Sequence, residues 1–251
     1  PSGDLRRVIE ALEAQWPERV SGPVSCDLHV LQQLQMALRK GKWTVTIALR
    51  AGCQIVAVWP GLKDQIVGAA VDVGSTTMSA HICDMNDGTV LATTGIMNPQ
   101  IRFGEDLMSR VSYGIMNEGG AAEMTKAVCE GLQQLIAGGA EQAGCTTDDV
   151  LEVVLVGNPV MHHLLLGIDP VELGGAPFAL AVDTATEIKA DEINLSLNKG
   201  SRIYILPCIA GHVGADAAGV VLAEAPQDGS DVQLLIDVGT NAEIVLGNKD
   251  R

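Results

Sequence analysis

Two short runs carry the residue types that phosphoryl chemistry needs. Asp72-Val73-Gly74-Ser75-Thr76-Thr77 follows one apolar stretch, and Asp237-Val238-Gly239-Thr240-Asn241-Ala242-Glu243 follows another much later in the chain. Each sets a carboxylate at the end of a predicted strand, then a glycine, then hydroxyl or amide side chains. A carboxylate so placed holds a hydrated Mg2+ ion. The glycine lets phosphate oxygens approach the backbone. Successive turn N–H groups then bind those oxygens, helped by Ser and Thr hydroxyls. Two such loops facing each other clamp a triphosphate from both sides, with Asp72 and Asp237 reaching Mg2+ through water. Positioning and charge neutralisation are most of what phosphoryl transfer requires. Taken singly, each run also fits an ordinary strand-to-turn junction, where Asp, Gly and Thr are common. Their repetition between paired strands is what favours nucleotide binding.

The elements around them follow from periodicity. Residues 67–73 form a nearly continuous apolar run, which suits a central strand. Residues 74–77 turn the chain, alternation from Met78 to Ile82 gives a second strand, Asn86-Asp87-Gly88 a hairpin turn, and residues 89–96 a third strand. Met124, Val128, Leu132, Leu135 and Ile136 share one face of a long helix set between Gly119-Gly120 and Gly138-Gly139. Residues 151–156 are a fourth strand, followed by a short helix through Met161. Residues 168–200 read as loop. Residues 203–206 give a fifth strand and residues 214–223 an Ala-rich helix, before a fresh strand-turn-strand unit at 232–246. This order predicts an antiparallel meander continued by parallel strands reached through helices.

Residues 1–66 read as a separate α+β module. Leu5, Val8, Leu12 and Trp16 have helical spacing up to Pro17, and residues 28–40 make a second helix. Residues 43–49 and 55–58 form a hairpin around Ala51-Gly52-Cys53. The expected organisation is a small linker module at 1–66, a main unit at 67–226, and the start of a further unit at 227–251. The last residues, Gly247-Asn248-Lys249-Asp250-Arg251, read as a turn after a strand, and the first residue is Pro1, so the chain reads as a segment of a longer protein.

The 251 residues carry 31 acidic and 16 basic side chains, a net charge of −15, with only 3% aromatic residues and 28 glycines. A core of Val, Leu, Ile and Ala favours a layered α/β fold. So acidic a surface disfavours nucleic-acid backbones and anionic membranes. Cys26, Cys53, Cys83, Cys129, Cys145 and Cys208 are scattered, with no Cys-x-x-Cys and no zinc spacing. They read as reduced thiols of a cytoplasmic protein.

Further polar residues have two readings each. Arg102, Glu105, Asp106 and Arg110 suit a solvated face with local pairing, or a surface facing the cleft or a partner. His162 and His163 are adjacent, which makes them a poor bidentate metal site. They suit one packed and one solvated ring, or a cleft lining. The methionines, scattered from Met36 to Met161, read as core filler.

The paired loops resemble the two phosphate motifs of the actin-like ATPase superfamily, whose halves are ribonuclease-H-like folds with a mixed sheet and flanking helices. A closer resemblance lies in Asn98-Pro99-Gln100, Arg102-Phe103-Gly104-Glu105-Asp106 with Ser109-Arg110, Gly157-Asn158-Pro159-Val160-Met161-His162-His163, and Pro207-Cys208-Ile209-Ala210-Gly211-His212-Val213-Gly214-Ala215-Asp216. From about residue 25 onward the chain is similar to the ATP-dependent reductive activators of corrinoid proteins. That resemblance implies ATP and Mg2+ as ligands and a corrinoid protein of a methyltransferase system as partner, restored from Co(II) to Co(I). It leaves a homodimer open. It implies a 2Fe–2S domain in the full-length family, whose cysteine pattern this sequence lacks. It places Asn158 with the nucleotide-binding residues and Asp216 where the superfamily orients the attacking water. Asp216 also suits the first turn of a helix by charge alone. A small-molecule kinase of the same superfamily and a non-catalytic nucleotide-gated scaffold are the other functions compatible with the loops. Residues 1–251 by themselves are expected to bind Mg-ATP weakly or not at all.

Overall fold

The computed structural model describes residues 2–239 and 242–250. Near the start, α1 (Asp4–Gln15) and α2 (Leu28–Lys40) turn Val8, Val30, Leu34, Ala37 and Leu38 inward. They cover one face of a small sheet of β1 (Ser25–Cys26), β2 (Val45–Arg50) and β3 (Gln54–Pro60), in the order β1-β3-β2. The other face buries Ala48, Val56 and Ala57 against Leu151 of the main unit.

Polar contacts fasten this seam. Asp27 accepts from Arg202 at 3.0 Å and from Gln54 at 2.6 Å, and both charged side chains are buried. Burial alone pushes the Asp27 carboxyl up, but its bonds to Arg202 and Gln54 and the Arg202 charge hold it below the usual range. Lys63 pairs with Asp149 at 2.7 Å, and Arg50 pairs with Glu187. Gly200 lies against the Val56 carbonyl, where a Cβ has no room.

The main sheet has six strands: β4 (Val67–Val73), β5 (Thr77–Asp84), β6 (Val90–Met97), β7 (Val150–Gly157), β8 (Thr186–Lys189) and β9 (Arg202–Ile205). Their order is β6-β5-β4-β7-β9-β8. β4, β5 and β6 are an antiparallel meander, whereas β4, β7 and β9 are mutually parallel. β8 closes the far edge antiparallel to β9. The expected meander followed by parallel strands is therefore present.

α3 (Leu107–Met116), α4 (Gly120–Gln142) and α5 (Pro159–Leu165) are the helices beside this core, and α4 packs on β5 and β6. Met124, Val128, Leu132, Leu135 and Ile136 of α4 meet Val71, Met78, Ile82 and Leu155 in one fully buried cluster. Each such side chain contributes about 2 kcal/mol by leaving water. α6 (Ala215–Glu224) packs on β7, and β10 (Gln233–Val238) with β11 (Ala242–Gly247) forms a separate antiparallel pair.

Several elements depart from the sequence expectations. α4 runs through Gly138-Gly139 instead of stopping there, because Gly139 is a packing position: a Cβ would lie 2.7 Å from Cγ1 of Ile82. α3 is an additional helix, and β8 lies within the stretch read as loop. β4 is central, yet Ala70 and Asp72 are exposed, so only one of its faces is packed. Met78, Met124 and Met161 are core, while the other five methionines are exposed on the surface.

Two stability outcomes follow. Gly138→Ala, with nothing within 4 Å of the new Cβ, raises stability by about 0.5–1 kcal/mol through helix propensity. Gly139→Ala gains the same propensity but loses about 1–3 kcal/mol to overpacking; urea unfolding midpoints of the two variants separate them. Arg202→Met, which strands Asp27 without its buried partner, costs about 3–5 kcal/mol in the same assay.

Candidate functional site

Three parallel strands end on one side of the sheet, where open α/β sheets bind their ligands. β4 delivers Asp72 on its open face and then turns through Gly74-Ser75-Thr76 into β5. Gly74 has no room for a side chain against the Thr77 carbonyl, so the turn is tight by construction. β7 ends at Gly157, opposite Val73, where a Cβ would sit 2.9 Å from the Val73 carbonyl oxygen. Asn158 follows and caps α5, its Oδ1 accepting from the Met161 N–H at 3.0 Å, with Pro159 at the first helical position. After β9 the chain returns through Gly214, whose missing Cβ would lie 2.6 Å from Cα of Asn158. That close approach brings Asp216, in the first turn of α6, to the same place.

Asp72, Gly74, Ser75, Thr76, Thr77, Asn158, Asp216, Asp237, Gly239 and Glu243 line one open cavity of about 440 Å³. Asp237 and Glu243 face each other across the β10–β11 pair. Thr240 and Asn241 lie outside the described residues. The structure thus gathers every described candidate residue of the two loops, with Val73, Val238 and Ala242 outside the lining, together with Asn158 and Asp216.

The cavity is strongly acidic. Burial against the walls, then the charges of Asp216 and Asp237, push the Asp72 carboxyl up to about 6, although solvent reaches it from the open side. Burial and the Asp237 charge raise Asp216, and burial with the charges of Asp216 and Asp237 raises Glu243. Such mutual repulsion is relieved by a bound cation or by protonation.

Beneath the first loop lies a buried polar network. Asn98 donates to the Gly74 carbonyl at 2.8 Å, its backbone N–H donates to the Thr76 carbonyl at 2.8 Å, and Arg110 donates to the Ser75 carbonyl. Gln100 accepts from Arg110 at 3.2 Å and donates to the Met124 carbonyl at 2.9 Å. Arg110 also donates to the Gly104 carbonyl at 3.0 Å and contacts the Met161 sulfur. All three side chains are at most 1% exposed.

Arg110 therefore departs from the solvated-face reading, while Arg102, Glu105 and Asp106 of the same stretch are exposed as that reading requires. The signal for Arg110 was in the helix pattern: it shares an i, i+3, i+4 face with Leu107 and Val111, where a solvated cation does not belong. Asn98 and Gln100 carried no comparable mark.

The two histidines also differ from expectation, since both are buried and neither lines the cavity. His163 donates from Nδ1 to the Pro159 carbonyl and accepts at Nε2 from the Ala181 N–H, which fixes a neutral ring. Burial lowers His163, and burial with the neighbouring His163 lowers His162 to about 4. All six cysteines are free thiols, and among the described residues no helix is long and apolar enough to cross a membrane.

A meander followed by two parallel strands, with a carboxylate loop at the end of the first strand and a second such loop facing it, defines an actin-like ATPase fold of the ribonuclease-H-like kind. The RACo middle region matches residues 67–227 and the RACo linker region matches residues 1–65. The chain belongs to the RACo family. It is 34% identical over 186 residues to the corrinoid activation enzyme RamQ of Eubacterium limosum, covering 74% of this chain and 31% of that protein. It is also similar to a solved reductive activator for corrinoid, iron-sulfur protein, with a TM-score of 0.86 at 32% identity, over 100% of this chain and 40% of the other. The chain thus spans about a third of the curated relative's length.

The Asp72 carboxyl gives a pH signature. A carboxyl raised to about 6 from 3.8 opposes folding once ionised, so its penalty is small at pH 4 and complete above pH 7. Asp72→Asn therefore raises the melting temperature at pH 7.5 and changes it far less near pH 4; thermal scans at the two pH values check this.

Proposed function

We propose that this chain forms the phosphate-binding cleft of an ATP-dependent reductive activator that returns a Co(II) corrinoid protein to Co(I). The observation that carries this reading is the meeting of two Asp-x-Gly loops, from separate strand-turn-strand units, on one acidic cavity. Family membership supports the corrinoid protein as the partner.

Mg2+ fits the donor set. Among the described residues no three ligating side chains converge to make an all-protein cage, and Mg2+ prefers to keep water and share phosphate oxygens. Asp72 and Asp237 would hold it through water. The ion supplies charge neutralisation at the phosphates. The turn amides at Ser75, Thr76 and Thr77 and the loop around Gly239 bind and orient the phosphate oxygens, with Asn158 at the side of the cleft. Asp216 orients a water and, with its raised carboxyl, accepts its proton as ATP is hydrolysed to ADP and phosphate.

Corrinoid reduction takes one electron, which a 2Fe–2S domain, as the family resemblance implies for full-length members, would supply. Nucleotide binding contributes by linkage: a ligand that prefers one arrangement of the domains shifts the population towards it, and the corrinoid protein docks on that arrangement.

Calorimetry on the full-length protein tests the cleft. Mg-ATP binds the wild type, and Asp72→Ala and Asp237→Ala each weaken it by about 100-fold, ~2.7 kcal/mol. Wild-type affinity in both variants overturns the cleft. With a reductant present, ATP accelerates the Co(II)-to-Co(I) absorbance change; ATP binding with no effect on the corrinoid overturns the activator, and transfer of phosphate to a metabolite replaces it with a kinase.

A further inference from the structure

We propose that Asn98, Gln100 and Arg110 are positioning residues that hold the first phosphate loop in its anion-binding form. This rests on the cleft described above but assigns residues outside it. Three consecutive loop carbonyls, those of Gly74, Ser75 and Thr76, are each taken by this network. A trans peptide sets the N–H of the next residue opposite the carbonyl, and these peptides are trans. Drawing the three carbonyls inward therefore turns the N–H groups of Ser75, Thr76 and Thr77 outward, to the side where the cavity lies.

The network is also suited electrostatically. The four groups that hydrogen-bond or touch Arg110 are neutral, two carbonyls, the Gln100 amide oxygen and the Met161 sulfur, and the Asp106 carboxylate acts on it through charge without a direct bond. A buried cation is costly unless it is paired or well hydrogen-bonded. Here its charge lies directly behind a loop that faces four carboxylates and, in the proposed function, a triphosphate. Gln100 ties the assembly to the Met124 carbonyl of α4, so the loop is referenced to the longest helix of the core.

The test is Arg110→Met in the full-length protein, read by Mg-ATP affinity and by amide hydrogen exchange. Loss of the network raises the Kd for Mg-ATP by roughly tenfold or more. Exchange in residues 74–77 accelerates by about the same factor, while β7 and the centre of α4 keep wild-type protection. Arg110→Lys, which keeps the charge but not the planar fork that reaches several acceptors, recovers part of both. If Arg110→Met does not fold, Asn98→Ser and Gln100→Met are judged on the same two readings. Unchanged affinity and unchanged loop exchange in a folded variant overturn the positioning role while leaving the cleft intact. Accelerated exchange spread across α4 and β7 also overturns it, since that marks general core support. A wild-type protein that binds no Mg-ATP overturns the proposed function and this inference with it.

Discussion

The parallel pairing of β4 with β7 is the interaction on which the rest of the structure depends. It runs from Val67 opposite Val150 to Val73 opposite Gly157. This register sets the Asp72 strand end beside the start of α5. It also demands glycine at 157, because the neighbouring carbonyl leaves no room for a Cβ. Gly214 repeats the demand one connection later, letting the chain cross Asn158 closely enough to present Asp216. The cavity is thus made by backbones approaching more closely than side chains allow, and the charged groups are mounted on that framework.

The carboxylates mounted on this framework repel one another. Asp72, Asp216 and Glu243 all have raised carboxyl pKa values, each through burial and the Asp237 charge, with Asp216 adding to it at Asp72 and Glu243. A folded protein keeps such repulsion only where the surrounding packing over-determines it. That packing is the α4 interface on β5 and β6, from Met124 to Gly139, and the Asn98, Gln100 and Arg110 hydrogen bonds under the loop.

Much of this was legible in the residues. The two Asp-x-Gly runs stood out because the same strand-turn-strand setting occurred twice, and the structure brings their described polar and glycine residues to one cavity. The parallel and antiparallel parts of the sheet followed from an apolar alternation broken by a long amphipathic helix. Other features were hidden for physical reasons. Gly138-Gly139 looked like a helix stop because a packing glycine and a terminating glycine are identical in one dimension; only the Ile82 side chain tells them apart. β8 is four residues long and gains its partners from β9 rather than from its own pattern. Arg110 was misread because charge is ordinarily a mark of solvent, and its partners are backbone carbonyls, an amide and a sulfur that no spacing rule reveals. The buried His163 is held by Pro159 and by Ala181, the latter a loop amide with no helical or strand periodicity to announce it.

The seam between the small amino-terminal sheet and the main one has a geometric consequence. Its contacts at Asp149, Leu151 and Arg202 fall where β7 and β9 begin, with Arg50–Glu187 further along the β8 edge, whereas the cavity opens where β7 and β9 finish. At about 3.3 Å per residue, Leu151 and Gly157 are roughly 20 Å apart along a single strand. The two ends of β7 therefore behave like the ends of a stiff rod. The small sheet and the cavity are thus held at opposite ends of β7, so a tilt of the strand at the cavity reaches the small sheet as displacement rather than as contact.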